Sequence, residues 1–151
     1  MFMHNIITGS NPTAVRLTAY PGMSFGDTSV IDDPLTESAS ATSAAVGRVQ
    51  GLFMVSSKSG PVLTVCANLV LTSGEYSGST IAVMGRLDDT PEAMEDASVR
   101  ELAVVGGTGK FRKATGHVLW KINRMDGPNA VMELDVYVSM ASGTNGTIVD
   151  T

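Results

Sequence analysis

Cys66 is the single cysteine among 151 residues, so no disulfide forms within the chain. Cationic side chains are also few. Ten Lys and Arg against 15 Asp and Glu give a formal charge of −5. That balance provides no electrostatic attraction for nucleic acid or an anionic membrane. Charged residues total 17%, below the roughly 25% usual in soluble domains. The two histidines, His4 and His117, lie far apart and lack metal-ligand spacing, which argues against a zinc site. No apolar run approaches the ~20 residues of a spanning helix, and no secretory h-region opens the chain. The expectation is a cytoplasmic protein, or an apoplastic one where a leader has been trimmed.

Helical signal is nearly missing too. Only 90–97 (TPEAMEDA) reads as helical, with Thr90 as N-cap, Pro91 at the first position and Glu92 in the first turn. The chain is instead rich in Val, Ala, Ser, Thr and Gly. Strand patterns cover 2–7, 13–20, 28–32, 46–56, 62–72, 79–87, 99–105, 116–123 and 130–140. Gly, Pro, Asn and Asp clusters separate them. Eight or nine strands joined by short turns predict an all-β, up-and-down antiparallel barrel over 1–140. The Gly- and Thr-rich segment 141–151 (ASGTNGTIVDT) has linker composition. Cys66, within VLTVCANLVL, is expected to be a buried, inert thiol.

The segment 98–116 (SVRELAVVGGTGKFRKATG) superficially resembles a phosphate loop. A P-loop requires a hydroxyl after Gly-Lys and a glycine five residues before its second glycine. Phe111 and Val104 occupy those positions. A dinucleotide fingerprint fails as well, because Arg112 stands at the third glycine. The glycines 106, 107 and 109 are therefore expected to make a tight turn between strands. Lys110, Arg112 and Lys113 read as a solvated face. Trp120 is expected in the core or at a subunit interface.

In order along the chain come HNIITGSNPTAV, IDDPLTE, GRVQG, LVLTSGEYSGSTIAVMGR, VRELAVVGGTGKFRKATG and AVMELDVYV. This succession resembles the plant dirigent domain from Met3 to Val138. The resemblance implies an eight-stranded, allene-oxide-cyclase-like barrel with an internal ligand cavity, assembled as a homotrimer. Dirigent proteins hold phenoxy radicals, made by a separate oxidase, so that coupling has one stereochemical outcome. Some relatives instead close or eliminate quinone methides with acidic pocket residues.

Carried over by position, the resemblance implies a cavity face with Arg100 retained. The family's first-strand aspartate is here Asn5, whose amide forms hydrogen bonds but does not titrate near neutrality. Its second aspartate position is Leu87, with Asp88 next to it. Neighbouring strand residues point to opposite faces, so of Asp32 and Asp33 at most one faces inward. Thr115 stands where the family carries an arginine. Asn5, Asp33, Tyr76, Asp88 and Arg100 are the candidate ligand-binding residues, at the cavity or its rim, with no catalytic or metal-binding residue and no cofactor.

The Gly/Thr tail resembles the junction after the dirigent domain of monocot chimeric jacalins. It implies a jacalin-type lectin domain in cis and a role in plant defence. The function expected on these grounds is a non-catalytic domain that binds carbohydrate, galactoside-like or another oligosaccharide, and helps oligomerise the lectin. The alternative is a dirigent protein guiding stereoselective coupling of monolignol phenoxy radicals.

Overall fold

The structure, a computed structural model, describes residues 1–18, 24–88, 99–140 and the backbone of 147–148. Its strands are β1 (Phe2–Asn5), β2 (Ala14–Arg16), β3 (Thr28–Thr36), β4 (Ala45–Val55), β5 (Val62–Leu71), β6 (Thr80–Asp88), β7 (Arg100–Thr108), β8 (Thr115–Asp126), β9 (Asn129–Ser139) and β10 (Thr147–Ile148). The expected helix at 90–97 lies outside the described residues. So does the expected linker 141–151, save for 147–148, where Thr147 pairs with Ser139 and Ile148 with Val138.

Every pairing is antiparallel. From β3 to β9 each strand bonds to the next in sequence. β1 then joins the two ends. It pairs with β3 through Phe2↔Thr36 and Met3↔Leu35, and with β9 from Phe2↔Glu133 to Asn5↔Ala130. The result is a closed eight-stranded barrel, which leaves no sheet edge at the seam. β2 continues along the same edge of β3, with Ala14 opposite Ile31 and Arg16 opposite Ser29. β1 and β2 therefore share one strand position, interrupted by the excursion of residues 6–13. Ile6 O closes that excursion by accepting from the amides of Thr13 (2.8 Å) and Ala14 (3.1 Å).

Strand periodicity sorts the side chains. On β5, Val65, Ala67 and Leu69 are buried, whereas Cys66 and Asn68 face out. The expectation of a buried Cys66 is thus corrected: its thiol is exposed. The run is apolar on both faces, but alternation puts Cys66 on the outer one. Inward residues such as Leu35, Val49, Leu69, Val83, Leu102 and Leu134 fill the barrel interior.

The glycine segment also differs from expectation. Gly106 and Gly107 lie inside β7, and the turn comes later, over Gly109–Phe111. Between β6 and β7 the register moves from Ala82↔Gly106 to Val83↔Val104, leaving Val105 as the extra residue of a bulge. Gly106 has φ +154°, so the bulge uses its glycine rather than the hairpin. Lys110, Arg112 and Lys113 are exposed, as a solvated face requires.

Candidate functional site: an apolar cavity at one end of the barrel

The two ends of the barrel differ. At one end the β5–β6 and β7–β8 turns bring Tyr76 against Phe111, ring centroids 5.1 Å apart, with Phe111 buried. The other end holds a cavity of about 410 Å³. Its walls come from strand ends that converge there: the last residues of β1, β4, β6 and β8 and the first of β3, β5, β7 and β9.

The floor comes from ring geometry. In an eight-stranded ring, β4 and β8 stand four positions apart and face one another. Phe53 on β4 and Trp120 on β8 meet edge to face, with centroids 6.3 Å apart and planes at 85°. Trp120 is 1% exposed, a core residue whose surface is also cavity wall. Val55, Leu63, Leu87, Ile122 and Met132 extend the apolar lining. The cavity falls in the size range of small-molecule sites and, like them, combines apolar walls with a few polar groups.

Asn5, Arg16, Asp27, Ser29 and Arg100 supply the polar wall. Arg100 opens β7, directly across the β7–β8 ladder from Trp120. β3 is four positions from β7, so Arg100 faces the β1–β3 side where Asn5 stands. Continuing the β1–β3 register places Asn5 opposite Asp33. Asn5 Nδ2 donates to Asp33 Oδ2 at 2.8 Å. Thr13 Oγ1 donates to Asp33 Oδ1 at 2.5 Å while accepting from Ile6 N at 2.9 Å. Asp33 is completely buried. Burial pushes its pKa up to about 6, although the bonds from Thr13 and Asn5 and the charge of Arg48 pull the other way. It sits behind Asn5 and does not itself line the cavity.

Asp32, its neighbour, points outward to Arg48, and to Gln50 Nε2 at 3.0 Å. The Arg48 bond holds Asp32 below the ordinary carboxylate range. Of the adjacent pair, one therefore faces in and one out. Asp88 also lies on the outer side, ion-paired with Arg86 at 3.0 Å, while Leu87 lines the cavity. Tyr76 belongs to the far end, against Phe111. The cavity wall thus brings together Asn5 and Arg100, with Asp33 one contact behind, and leaves Tyr76 and Asp88 elsewhere.

Two wall residues escaped the sequence reading. Asp27, 5% exposed, accepts from Thr18 Oγ1 (2.5 Å), Ser24 N (2.7 Å) and the Arg16 guanidinium. The Thr18 and Ser24 bonds, then the Arg16 charge, hold it below its usual pKa. A signal existed: residues 27, 29, 31 and 33 share one parity, so an inward Asp33 implies an inward Asp27. Arg16 shares parity with inward Ala14 in the same way. Among the described residues no cluster of His, Cys, Asp or Glu could hold a metal ion.

A closed antiparallel barrel with an apolar pocket and a few convergent polar groups has the form of a small-molecule site. Residues 1–139 match the Dirigent family, described as dirigent-like protein, and the chain belongs to that family. It is 40% identical to Dirigent protein 1 of Arabidopsis thaliana over 91% of this chain and 75% of that protein. It is 34% identical to Pterocarpan synthase 1 of Glycine max over 91% and 75%. Among solved structures, one pterocarpan synthase dirigent protein superposes with TM-score 0.83 at 32% identity, covering 94% of this chain and 93% of that one. A second gives TM-score 0.81 at 34% identity, covering 91% and 83%.

These findings correct the lectin reading. The relatives are dirigent proteins and pterocarpan synthases, which favours the alternative over a carbohydrate-binding defence lectin. The cavity agrees physically. An oligosaccharide presents many hydroxyls, each needing a partner on burial, and most of this wall offers hydrocarbon.

Proposed function

We propose that this chain is a dirigent protein that binds phenolic radicals derived from monolignols and sets the stereochemistry of their coupling. The observation that carries the reading is the composition of the wall, apolar and aromatic with Arg100 facing the Asn5 side. Ring faces pack on Phe53, Trp120 and Leu87. The oxygen substituents go to Arg100, a donor, and to Asn5. Two radicals each contribute one unpaired electron to the new carbon–carbon bond. The protein then needs only to present one face of each, a matter of orientation rather than of proton or electron transfer.

This reading assigns no acid–base step to the wall. Asp27, its carboxylate among the described residues, is held ionised by its hydrogen bonds and by Arg16. The test is to oxidise coniferyl, sinapyl and p-coumaryl alcohol with a one-electron oxidant, with and without stoichiometric protein, and separate the products by chiral chromatography. One enantiomer of a coupled product should be enriched, and Arg100→Leu should lower the excess. Racemic products from all three alcohols would overturn the proposal.

A second reading, formation of a pterocarpan-type product, is favoured by the pterocarpan synthase relatives and by a buried carboxyl titrating near 6. It ranks lower because Asp33 reaches the cavity only through Asn5. Pterocarpan produced by the protein without an added oxidant would reverse that ranking.

A further inference from the structure

We propose that Asn5 determines which ligand oxygens the cavity accepts, and that the protonation state of Asp33 decides which end of the Asn5 amide faces the ligand. The phenolic nature of the ligand rests on the function proposed above; the coupling of the two side chains does not.

The argument begins with donor and acceptor counting. An ionised carboxylate only accepts. Asp33 accepts on both oxygens, from Thr13 Oγ1 at 2.5 Å and from Asn5 Nδ2 at 2.8 Å. Nδ2 is thereby committed to the barrel wall. Asn5 also lines the cavity, so the amide turns its Oδ1 away from Asp33 and towards the ligand. In this state the cavity offers an acceptor there, suited to a phenol or alcohol hydroxyl and unsuited to its methyl ether.

A proton on Asp33 changes the count. The carboxyl must now donate through one oxygen. For Thr13 to accept it, the Thr13 hydroxyl would exchange its 2.5 Å bond to Asp33 for the longer 3.3 Å contact to the His4 carbonyl while keeping the bond from Ile6 N at 2.9 Å, a weaker arrangement. The Asn5 amide can accept the new donor by turning end over end. Its NH2 group then faces the ligand, and the same spot becomes a donor. Proton uptake from water is the whole chemical step, and no bond to the ligand is made.

The surroundings place this event in an accessible range. Asp33 is fully buried, and burial raises its pKa to about 6. Charges reach it from Arg48 on β4, which lowers the pKa, and from Asp32 on β3, which raises it. On β1 the titratable neighbour is His4, whose Nε2 lies 2.7 Å from Thr36 Oγ1. On β2 the charged residue is Arg16, ion-paired with Asp27.

The experiment follows the Asn5 side-chain NH2 signals of the ¹⁵N-labelled protein between pH 4.5 and 8, assigned by their loss in Asn5→Ala. They should titrate with one midpoint near 6, shared by the Asp33 carboxyl ¹³C signal, and should become flat in Asp33→Asn. Flat signals in the native protein, or midpoints that differ between the two residues, would overturn the proposal. The carboxyl signal keeps the test decisive should Asp33→Asn fail to fold. In a parallel measurement 4-propylphenol should bind about tenfold more tightly than 4-propylanisole at pH 8, and the ratio should collapse at pH 5. Equal affinities at pH 8 would overturn the acceptor assignment. Failure of both probes to bind while Asn5 still titrates would count against the phenolic reading and leave the Asp33–Asn5 coupling standing.

Discussion

Asp33 shows how much one residue's surroundings can set its chemistry. Its carboxyl has an ordinary value of 3.8, and burial raises it to about 6 in the folded chain. The native state therefore binds this proton more tightly than the unfolded chain does. The resulting stabilisation is fully present below about pH 4 and is lost as pH rises through 6. At ~1.4 kcal/mol per pH unit the window amounts to about 3 kcal/mol. Asp27, Asp32 and Glu133 are shifted down, so their contributions run oppositely, present at higher pH and lost on acidification. Comparison with Asp33→Asn isolates the buried group. Urea midpoints should show the stability difference moving about 2 kcal/mol in the variant's favour between pH 4 and pH 7. A difference independent of pH would show that Asp33 is not buried as an acid. Parity along a strand says that only one of Asp32 and Asp33 faces inward. Nothing in the one-dimensional pattern says that the inward one stands behind Asn5 rather than in the wall. That follows from β1 lying beside β3.

At the scale of elements, alternation explains most of what was legible. β4 to β9 lie close to where apolar periodicity and turn residues place them, because half-buried strands need a two-residue period, whereas β3 runs past the expected 32 to Thr36 and β10 falls in the expected linker. The departures occur where a partner strand intervenes. Gly106 and Gly107 read as a turn by composition, yet a bulge against Ala82 and Val83 keeps them in β7. Gly51 is a second such place. It lies in β4 opposite Ala67, and a Cβ there would overlap the Cys66 carbonyl oxygen and the Ala67 Cα. Both obstacles are backbone atoms of β5 or directly attached to it, so relief requires the strands to separate. Gly51→Ala should therefore cost roughly 1–3 kcal/mol, seen as a fall of several degrees in Tm. An unchanged Tm would mean that the β4–β5 ladder shifts freely.

For the whole molecule, the decisive fact is closure. Strand order places β4 opposite β8 and β3 opposite β7, so residues distant in sequence meet across the barrel. Phe53 and Trp120 form the cavity floor in this way. Trp120→Ala should destabilise the protein by roughly 3–5 kcal/mol. It should also remove the floor, so that stereoselectivity in the coupling assay falls even where the variant remains folded. Retained stability would show that the floor is not part of the core.

The sequence by itself determined the strands, the barrel class and the family resemblance, since all three rest on local periodicity and on motifs in order. It also identified Asn5 and Arg100 as inward-facing candidates. Only the tertiary structure decided that they face each other across one cavity, that Asp27 and Arg16 join them, and that Asp33 stands behind. It also placed Tyr76 at the opposite end and exposed Cys66. The physical reason is that a strand's period specifies which face a side chain takes, whereas register and ring closure specify which side chains share a wall.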